Sequence, residues 1–299
     1  MAASSADVQV RRVTELPLTV LAEHLTAGFS GYAMPVALDA EALADRVRVE
    51  DIDLHASFEL WSAGAVVATV LVARRGSRAR VASMCVPPGL HGHGWGRVAM
   101  DQAVAEAQSR GEELRLEVLT DNDAAVRLYE RCGFERTRQL VGFEAGAVEL
   151  AGRATSDDVV ALQPVPTGRV ADAVAAAGAD LSWQLSAPSL AGLSGQWRGW
   201  ALGPALAVAR PRGETLQLLG LVTEPGARRR GHARRLLAAL AGRVVGDAPS
   251  VSRVGVISIV PAGLLDDFAA RAGLHPAPVR QWEMVRALTP GSGTGSRLG

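Results

Sequence analysis

The 299-residue chain contains no lysine, so arginine carries all of its basic side-chain charge. The 31 arginines balance 31 acidic residues, and the formal net charge at pH 7 is zero. This balance argues against a nucleic acid or an anionic membrane surface as a partner. The absence of lysine, with many alanines, glycines and arginines, is typical of a GC-rich bacterial genome.

Cysteine and long apolar runs are also scarce. Cys85 and Cys132 are too few for a disulfide framework and lack zinc-ligand spacing, so we interpret both as small buried residues and predict no metal. No apolar run approaches the roughly 20 residues of a membrane span. Met1 to Val13 has no apolar segment of a secretory signal. We therefore expect a cytoplasmic protein without a membrane partner. No oligomeric state is indicated.

Residues 84–97 contain the first informative motif. A predicted strand ends at Met84, Cys85 and Val86. It leads to a glycine-rich turn that opens a helix, His91-Gly92-His93-Gly94-Trp95-Gly96-Arg97. Free backbone N–H groups and the positive end of the helix dipole meet at such a turn, and glycine lets the backbone approach a ligand closely. The pattern therefore predicts an anion site.

A second motif follows on a later predicted helix. Asn122 and Tyr129 are seven residues apart, which is about two helical turns, so both lie on one face of this helix. An anion cradle followed by an amide and a phenol on one face suits coenzyme A and a leaving thiolate.

The two motifs resemble those of the GCN5-related N-acetyltransferase (GNAT) family. The acyl-CoA loop of that family reads Gln/Arg-x-x-Gly-x-Gly/Ala; Gly94 and Gly96 match it, and His91 replaces the usual Gln or Arg. The later helix of the family often reads Asn-x-x-Ala-x-x-Leu-Tyr-x-x-x-Gly-Phe. This sequence matches every named position of that pattern, with Asn122, Ala125, Leu128, Tyr129, Gly133 and Phe134.

The resemblance implies acetyl transfer from acetyl-CoA to an amine. Backbone groups of residues 84–86 would hold the pantetheine and the thioester oxygen, and residues 91–97 would bind the pyrophosphate, with Arg97 as an anion partner. Tyr129 is the candidate general acid for the thiolate, although a helical tyrosine also serves to pack a core. Asn122 either contacts the pantetheine or only caps its helix.

The sequence does not identify a general base or the acceptor amine. By analogy of fold, Tyr32, Asp53 and Glu117 are candidates for the acceptor pocket. Asp51 and Glu59 are predicted to lie near this pocket, and each of these carboxylates has a plain alternative as a solvated surface group. A relaying water, or an acceptor that is already neutral, would need no dedicated base.

The loop pattern recurs in the second half of the chain. Residues 223–234 align without gaps on residues 86–97, which predicts a possible second CoA loop at Arg228, Arg229, Arg230, Gly231, His232 and Ala233. The helix motif does not recur, because Ala262 and Ala269 stand where the first half has asparagine and tyrosine. We therefore predict that the N-terminal half is catalytic and the C-terminal half degenerate.

The repeat predicts an α/β fold of two tandem GNAT-like domains, each a mixed, mostly antiparallel sheet flanked by helices. We place a catalytic domain at residues 8–148, a degenerate domain at 157–289 and a disordered Gly/Ser-rich tail at 290–299. In the second half, the pattern predicts one strand over residues 159–164 and another over 199–209.

Two alternatives stay open at this point. One is a non-catalytic acyl-CoA sensor that binds the cofactor and turns over no acceptor. The other follows from the tandem layout, which also resembles mycothiol synthase. In that enzyme the C-terminal half carries catalysis, whereas here that half lacks the tyrosine.

Overall fold

A computed structural model describes residues 8–31 and 38–288. Tyr32 and the tail at 290–299 lie outside these residues, so both predictions stand as made. No helix in the described ranges is long and apolar enough to cross a bilayer.

The N-terminal half runs strand, two helices, three strands, helix, strand, helix and strand. Asp39 caps the second helix, since its carboxylate accepts a hydrogen bond from the Ala42 N–H at 2.8 Å. The elements are β1 (Gln9–Arg12), α1 (Leu18–Gly28), α2 (Ala40–Glu50), β2 (Phe58–Ser62), β3 (Ala65–Arg75), β4 (Arg78–Cys85), α3 (Trp95–Ser109), β5 (Glu113–Leu119), α4 (Asp123–Arg131) and β6 (Glu135–Gly146).

The C-terminal half repeats this plan after two short helices. Its elements are α5 (Ala147–Ala151), α6 (Ser156–Ala161), β7 (Gln163–Val165), α7 (Thr167–Ala177), α8 (Ala187–Ala191), β8 (Arg198–Leu202), β9 (Ala205–Arg212), β10 (Thr215–Thr223), α9 (His232–Asp247), β11 (Arg253–Pro261), α10 (Asp266–Ala272) and β12 (His275–Arg286).

Two predicted strands of this half were wrong in detail. Residues 159–161 form the last turn of helix α6 instead of a strand. Thr155 starts this helix, because its hydroxyl accepts from the Asp158 N–H at 3.1 Å. Residues 199–209 form a hairpin rather than one strand, with Gly203 at a φ of 55° in the turn between β8 and β9. Only glycine adopts that φ without steric cost.

All twelve strands join in one sheet, in the order β1-β2-β3-β4-β5-β12-β6-β11-β10-β9-β8-β7. The last strand of each half enters the sheet of the other half. Strand β12 pairs antiparallel with β5, and β6 pairs antiparallel with both β12 and β11. The two halves therefore exchange strands. The domain ranges 8–148 and 157–289 stay predictions.

The N-terminal half has a core cluster on each face of its sheet. Leu71 packs with α1 and α2, whereas Val70 and Val72 pack with α3 and α4. Since successive strand residues point to opposite faces, the two helix pairs lie on opposite sides of the sheet. Trp183 of the C-terminal half joins the α1/α2 face, where its indole N–H donates to the Glu50 carbonyl at 2.7 Å.

Candidate active site

A cleft opens where β4 and β5 stop pairing. The two parallel strands pair only from Arg78↔Glu113 to Arg80↔Arg115 within the described residues, and β4 continues to Cys85. A register shift between β3 and β4 leaves Ala82 as an extra residue in β4, which is a β-bulge that bends the strand. The sequence-predicted pantetheine residues, 84–86, lie at the end of this diverging strand.

The glycine-rich loop has the geometry of an anion cradle. Gly92 and Gly94 have φ values of 79° and 91°, which other residues adopt only with strain, and Gly94 is the N-cap of α3. A Cβ added at Gly96 would lie 3.1 Å from Leu128 Cδ2, so this glycine lets α3 approach α4 closely. The first N–H groups of α3 have no partner within the helix and point out of its N-terminus, where the loop lies.

His91 takes a structural role that the sequence did not reveal. Its Nε2 lies 2.8 Å from the Val86 carbonyl, which only accepts, so Nε2 carries the proton. At the equivalent positions of the second loop, Arg228 Nε donates to the Thr223 carbonyl at 3.2 Å. The histidine thus closes the first loop with the same bond that the usual arginine makes in the second.

Other polar side chains of the first loop also bond within the protein. His93 Nδ1 lies 3.0 Å from the His91 carbonyl. Arg97 pairs with Asp101 at 2.8 Å and donates to the Arg131 carbonyl at 3.0 Å, which links α3 to the end of α4. The cradle is therefore built mainly from backbone N–H groups, with Arg97 at its edge.

The tyrosine helix lies beside this loop on the α3/α4 face. Tyr129 is only 8 % exposed, and its ring packs at 6.1 Å and a 60° tilt against Phe134. Asn122 caps α4, because its side-chain oxygen accepts from the Ala125 N–H at 3.1 Å. The capping alternative for Asn122 is thus present in the structure, and its amide nitrogen is not used by that bond.

Both cysteines are buried thiols. Burial raises the pKa of Cys85 to about 12, and it also raises the pKa of Cys132. A thiol that stays protonated is a poor nucleophile, so Cys85 is unsuited to form an acyl-enzyme although it lies at the end of β4.

The carboxylates that sequence analysis placed near the acceptor are held in ion pairs. Glu117 pairs with Arg80 at 2.6 Å and Asp51 with Arg75 at 2.6 Å. Asp53 lies 2.9 Å from Arg74, and it accepts from the His55 N–H at 2.9 Å. These contacts link the strands and the turn after α2, and they occupy the carboxylate oxygens of all three residues.

A buried ion network occupies the point where β4 and β5 diverge. Arg80 lies between Glu117 and Glu50, at 2.6 Å from each, and Arg46 joins Glu50 at 2.8 Å. Burial would raise the pKa of Glu50, but Arg46 and Arg80 lower it to about 2. Arg46 also donates to the Ala82 carbonyl at the bulge.

The network lines a cavity of about 270 Å³ on the α1/α2 face. Arg80 and Glu117 line it together with residues of the C-terminal half, Leu181, Trp183 and Pro188. This cavity beside the diverging strands is therefore bounded by both halves of the chain.

The C-terminal half reproduces the backbone of this site. Strands β10 and β11 pair only over three residues, from Thr215↔Arg253 to Gln217↔Gly255. In its loop, Arg229 and Gly231 have φ values of 65° and 84°, close to those of Gly92 and Gly94. Ala269, however, fills the position of Tyr129 and is buried.

The comparison with known proteins agrees with this geometry. Residues 28–134 match the model of the acetyltransferase (GNAT) family. Residues 28–134 are therefore similar to a GNAT domain. That domain spans the loop and the tyrosine helix, and the family consists of acyltransferases. No curated protein sequence matches the chain.

Solved structures share the whole fold at low sequence identity. A GCN5-related N-acetyltransferase from Sphaerobacter thermophilus superimposes with a TM-score of 0.65 at 15% identity, over 97% of this chain and 98% of that one. A tandem GNAT protein from the clavulanic acid biosynthesis pathway gives a TM-score of 0.65 at 14% identity, over 93% and 98%. A GCN5-related N-acetyltransferase from Kribbella flavida gives 0.62 at 19%, over 94% and 72%. The predicted tandem GNAT fold is thus confirmed.

Proposed function

We propose that the protein transfers an acetyl group from acetyl-CoA to an amine, and that its N-terminal half is the catalytic one. The observation that carries this proposal is that only the N-terminal half joins all three parts of the site. It has the diverging strand end, the glycine cradle and the tyrosine helix, whereas the C-terminal half has the first two and Ala269 in place of the tyrosine.

The loop fits a diphosphate. Among the described residues, no atom lies within 4 Å of a Cβ built at Gly92 or Gly94, so the surface above both glycines is open to a ligand. Backbone N–H groups at the start of α3 suit a diphosphate, as at other helix N-termini. Residues 84–86 of the diverging strand offer main-chain groups to the pantetheine and the thioester oxygen.

The reaction balances with one acid and one base. The acceptor ammonium loses a proton, and its nitrogen attacks the thioester carbonyl carbon to form a C–N bond. The C–S bond then breaks, and the sulfur takes a proton from the phenol of Tyr129, which recovers it from solvent. The products are an N-acetylated amine and CoA. We place the reaction in the cytoplasm.

A non-catalytic acyl-CoA sensor is the second candidate, and one observation favours it. Both loops keep the same backbone conformation, although Arg229 adopts a left-handed φ that glycine supplies in the first loop. Such strain persists where the surrounding structure or a ligand requires it. The mycothiol-synthase-like alternative needs catalysis in the C-terminal half, and Ala269 has no proton to donate.

A thiol-release assay separates the two candidates. The full chain is incubated with acetyl-CoA and a panel of polyamines, amino acids, aminoglycosides and short peptides. The enzyme proposal predicts steady release of CoA thiol that requires both an amine and an intact first loop, tested with Gly94→Asp. Tight CoA binding without turnover of any amine would support the sensor instead.

A further inference from the structure

A row of polar side chains crosses the N-terminal sheet at the level of the cleft. Glu59 of β2 pairs in register with Thr69 of β3, and Thr69 pairs with Cys85 at the end of β4. The Thr69 hydroxyl donates to the Glu59 carboxylate at 3.1 Å, and the Glu59 side chain is completely buried. Burying such groups costs free energy, so a row of them needs an explanation.

The C-terminal half shows that the fold does not require this row. Val222 is equivalent to Cys85 by the alignment of the loops, and it pairs with Leu206, which pairs with Ala201. All three residues are apolar. Because the N-terminal half has this polar row and the C-terminal half lacks it, the row indicates a function specific to the N-terminal half.

His24 completes the row from helix α1. Its Nδ1 lies 2.8 Å from Glu59 Oε1. Because a carboxylate only accepts, Nδ1 carries a proton, and in the neutral ring Nε2 then holds the lone pair. No hydrogen-bond partner of Nε2 lies within residues 8–31 and 38–288, and the side chain is 26 % exposed. Trp61 packs against the imidazole, since the two rings lie 6.2 Å apart at 71° and the indole N–H donates to Glu59 at 3.0 Å.

Helix α1 brings this imidazole to the cleft side of the sheet. His24 precedes Gly28 by one helical turn, about 6 Å along the axis. Helix α1 lies so close to the end of β4 that a Cβ at Gly28 would collide with the Cys85 sulfur. Tyr129 belongs to the core cluster of the opposite face. The histidine and the tyrosine therefore flank the diverging strand from its two sides.

We propose that His24 is the general base of the reaction and that Glu59 is its positioning residue. This inference rests on the proposed function and narrows its acceptor to aliphatic amines, which are protonated at neutral pH and need a base. The ammonium proton moves to His24 Nε2, and the freed amine attacks the thioester. Glu59 stabilises the resulting imidazolium, which then releases the proton to solvent.

The basicity of the acceptor provides the test. We compare His24→Gln and Glu59→Gln with the wild type on the best aliphatic amine of the panel and on hydroxylamine, which is largely neutral at neutral pH. His24→Gln should lower kcat for the aliphatic amine by about 10²- to 10⁴-fold, the range for loss of an acid–base group. Its kcat with hydroxylamine and its KM for acetyl-CoA should stay within about threefold of wild type, less than 1 kcal/mol. Added imidazole should restore part of the activity of His24→Ala.

Glu59→Gln should give a smaller loss with the same dependence on the acceptor. His275→Gln is the matched control, since His275 is exposed at the start of β12, and it should behave as wild type. Thermal unfolding checks that each variant folds.

Three results would overturn the inference. They are an unchanged kcat of His24→Gln with the aliphatic amine, an equal loss with both nucleophiles, and a loss that imidazole does not relieve. A wild-type protein that turns over no amine would instead refute the proposed function itself, so the two failures are distinguishable.

Discussion

Equivalent positions in the two halves carry different side chains on the same backbone. Where the N-terminal half has Arg80, Glu117, Glu59 and Tyr129, the C-terminal half has Gln217, Ile257, Ala201 and Ala269. The loops, the diverging strands and the start of the following helix are nevertheless retained in both. The backbone geometry of the fold is therefore kept in both halves, whereas the polar side chains of the candidate site occur in one of them.

The difference also explains what the C-terminal half contributes. It supplies β12 to the sheet of the N-terminal half, and it lines the cavity at the diverging strands with Trp183. Arg75 stacks on that indole at 4.3 Å and donates to Ser186 and Ser189. A half without the tyrosine thus still completes the structure around the proposed site.

The largest effect is expected from separating the halves. A fragment of residues 1–150 lacks β12 and β11, so β6 loses both of its partners and β5 loses one. We expect neither this fragment nor 151–299 to show a cooperative unfolding transition by circular dichroism, and co-expression to restore a folded complex. A cooperative transition in isolated 1–150 would show that the halves are independent after all.

The next largest effect is expected at Tyr129, whose equivalent in the C-terminal half is Ala269. Tyr129→Phe should lower kcat by roughly 10- to 1000-fold, as expected for loss of an acid, with little change in acetyl-CoA affinity. Phe134→Leu disturbs the same ring contact but removes no hydroxyl, and it should retain most of the turnover. An unchanged kcat of Tyr129→Phe would assign the tyrosine to packing alone.

The ion network predicts that the stability of the N-terminal half depends on pH. The C-terminal half has no such network among its described residues, because Gln217 and Ile257 replace Arg80 and Glu117 and carry no charge. The folded-state pKa of Glu50 is about 2, against an ordinary value of 4.5. The ionised Glu50 side chain therefore adds about 3 kcal/mol to the free energy of unfolding above pH 4.5, and this stabilisation is lost as the pH falls towards 2. Urea unfolding across this pH window should show a smaller loss for Glu50→Gln. An identical slope in both proteins would contradict the network.

A smaller effect is expected from a charge in the first loop. Gly94→Asp places a side chain and a negative charge above the cradle, so acetyl-CoA affinity should fall by at least about tenfold, or 1.4 kcal/mol. Calorimetry is the measurement, and Gly89→Asp, an exposed site before the loop, is the control for added charge. If Gly94→Asp binds acetyl-CoA with normal affinity, the cofactor site does not lie at this loop.

The sequence predicted local geometry better than long-range pairing. Glycine at 92, 94 and 96 specified the cradle, because each position needs a positive φ or a close approach of helices. The strand exchange was not predicted, since an apolar pattern shows that a strand is buried and does not show which strand it pairs with. The role of His91 depends on a carbonyl five residues earlier, which a family pattern does not reveal.

The polar row was also missed, for a physical reason. His24 and Glu59 are 35 residues apart, and each alone suits a surface site. In the sequence, Phe58-Glu59-Leu60 has the ordinary alternation of a strand with its charge facing solvent. Only the structure shows that Glu59 is buried and faces helix α1.

The most direct test of the catalytic assignment is thiol release by two loop variants of the full chain. Arg228→Glu with Gly231→Asp alters only the second loop, and Gly94→Asp alters only the first. We predict that the double variant keeps its turnover within about threefold of wild type, less than 1 kcal/mol in the barrier, whereas Gly94→Asp loses turnover at limiting acetyl-CoA. Loss of turnover in the folded double variant, with Tyr129 intact, would place the active centre in the C-terminal half.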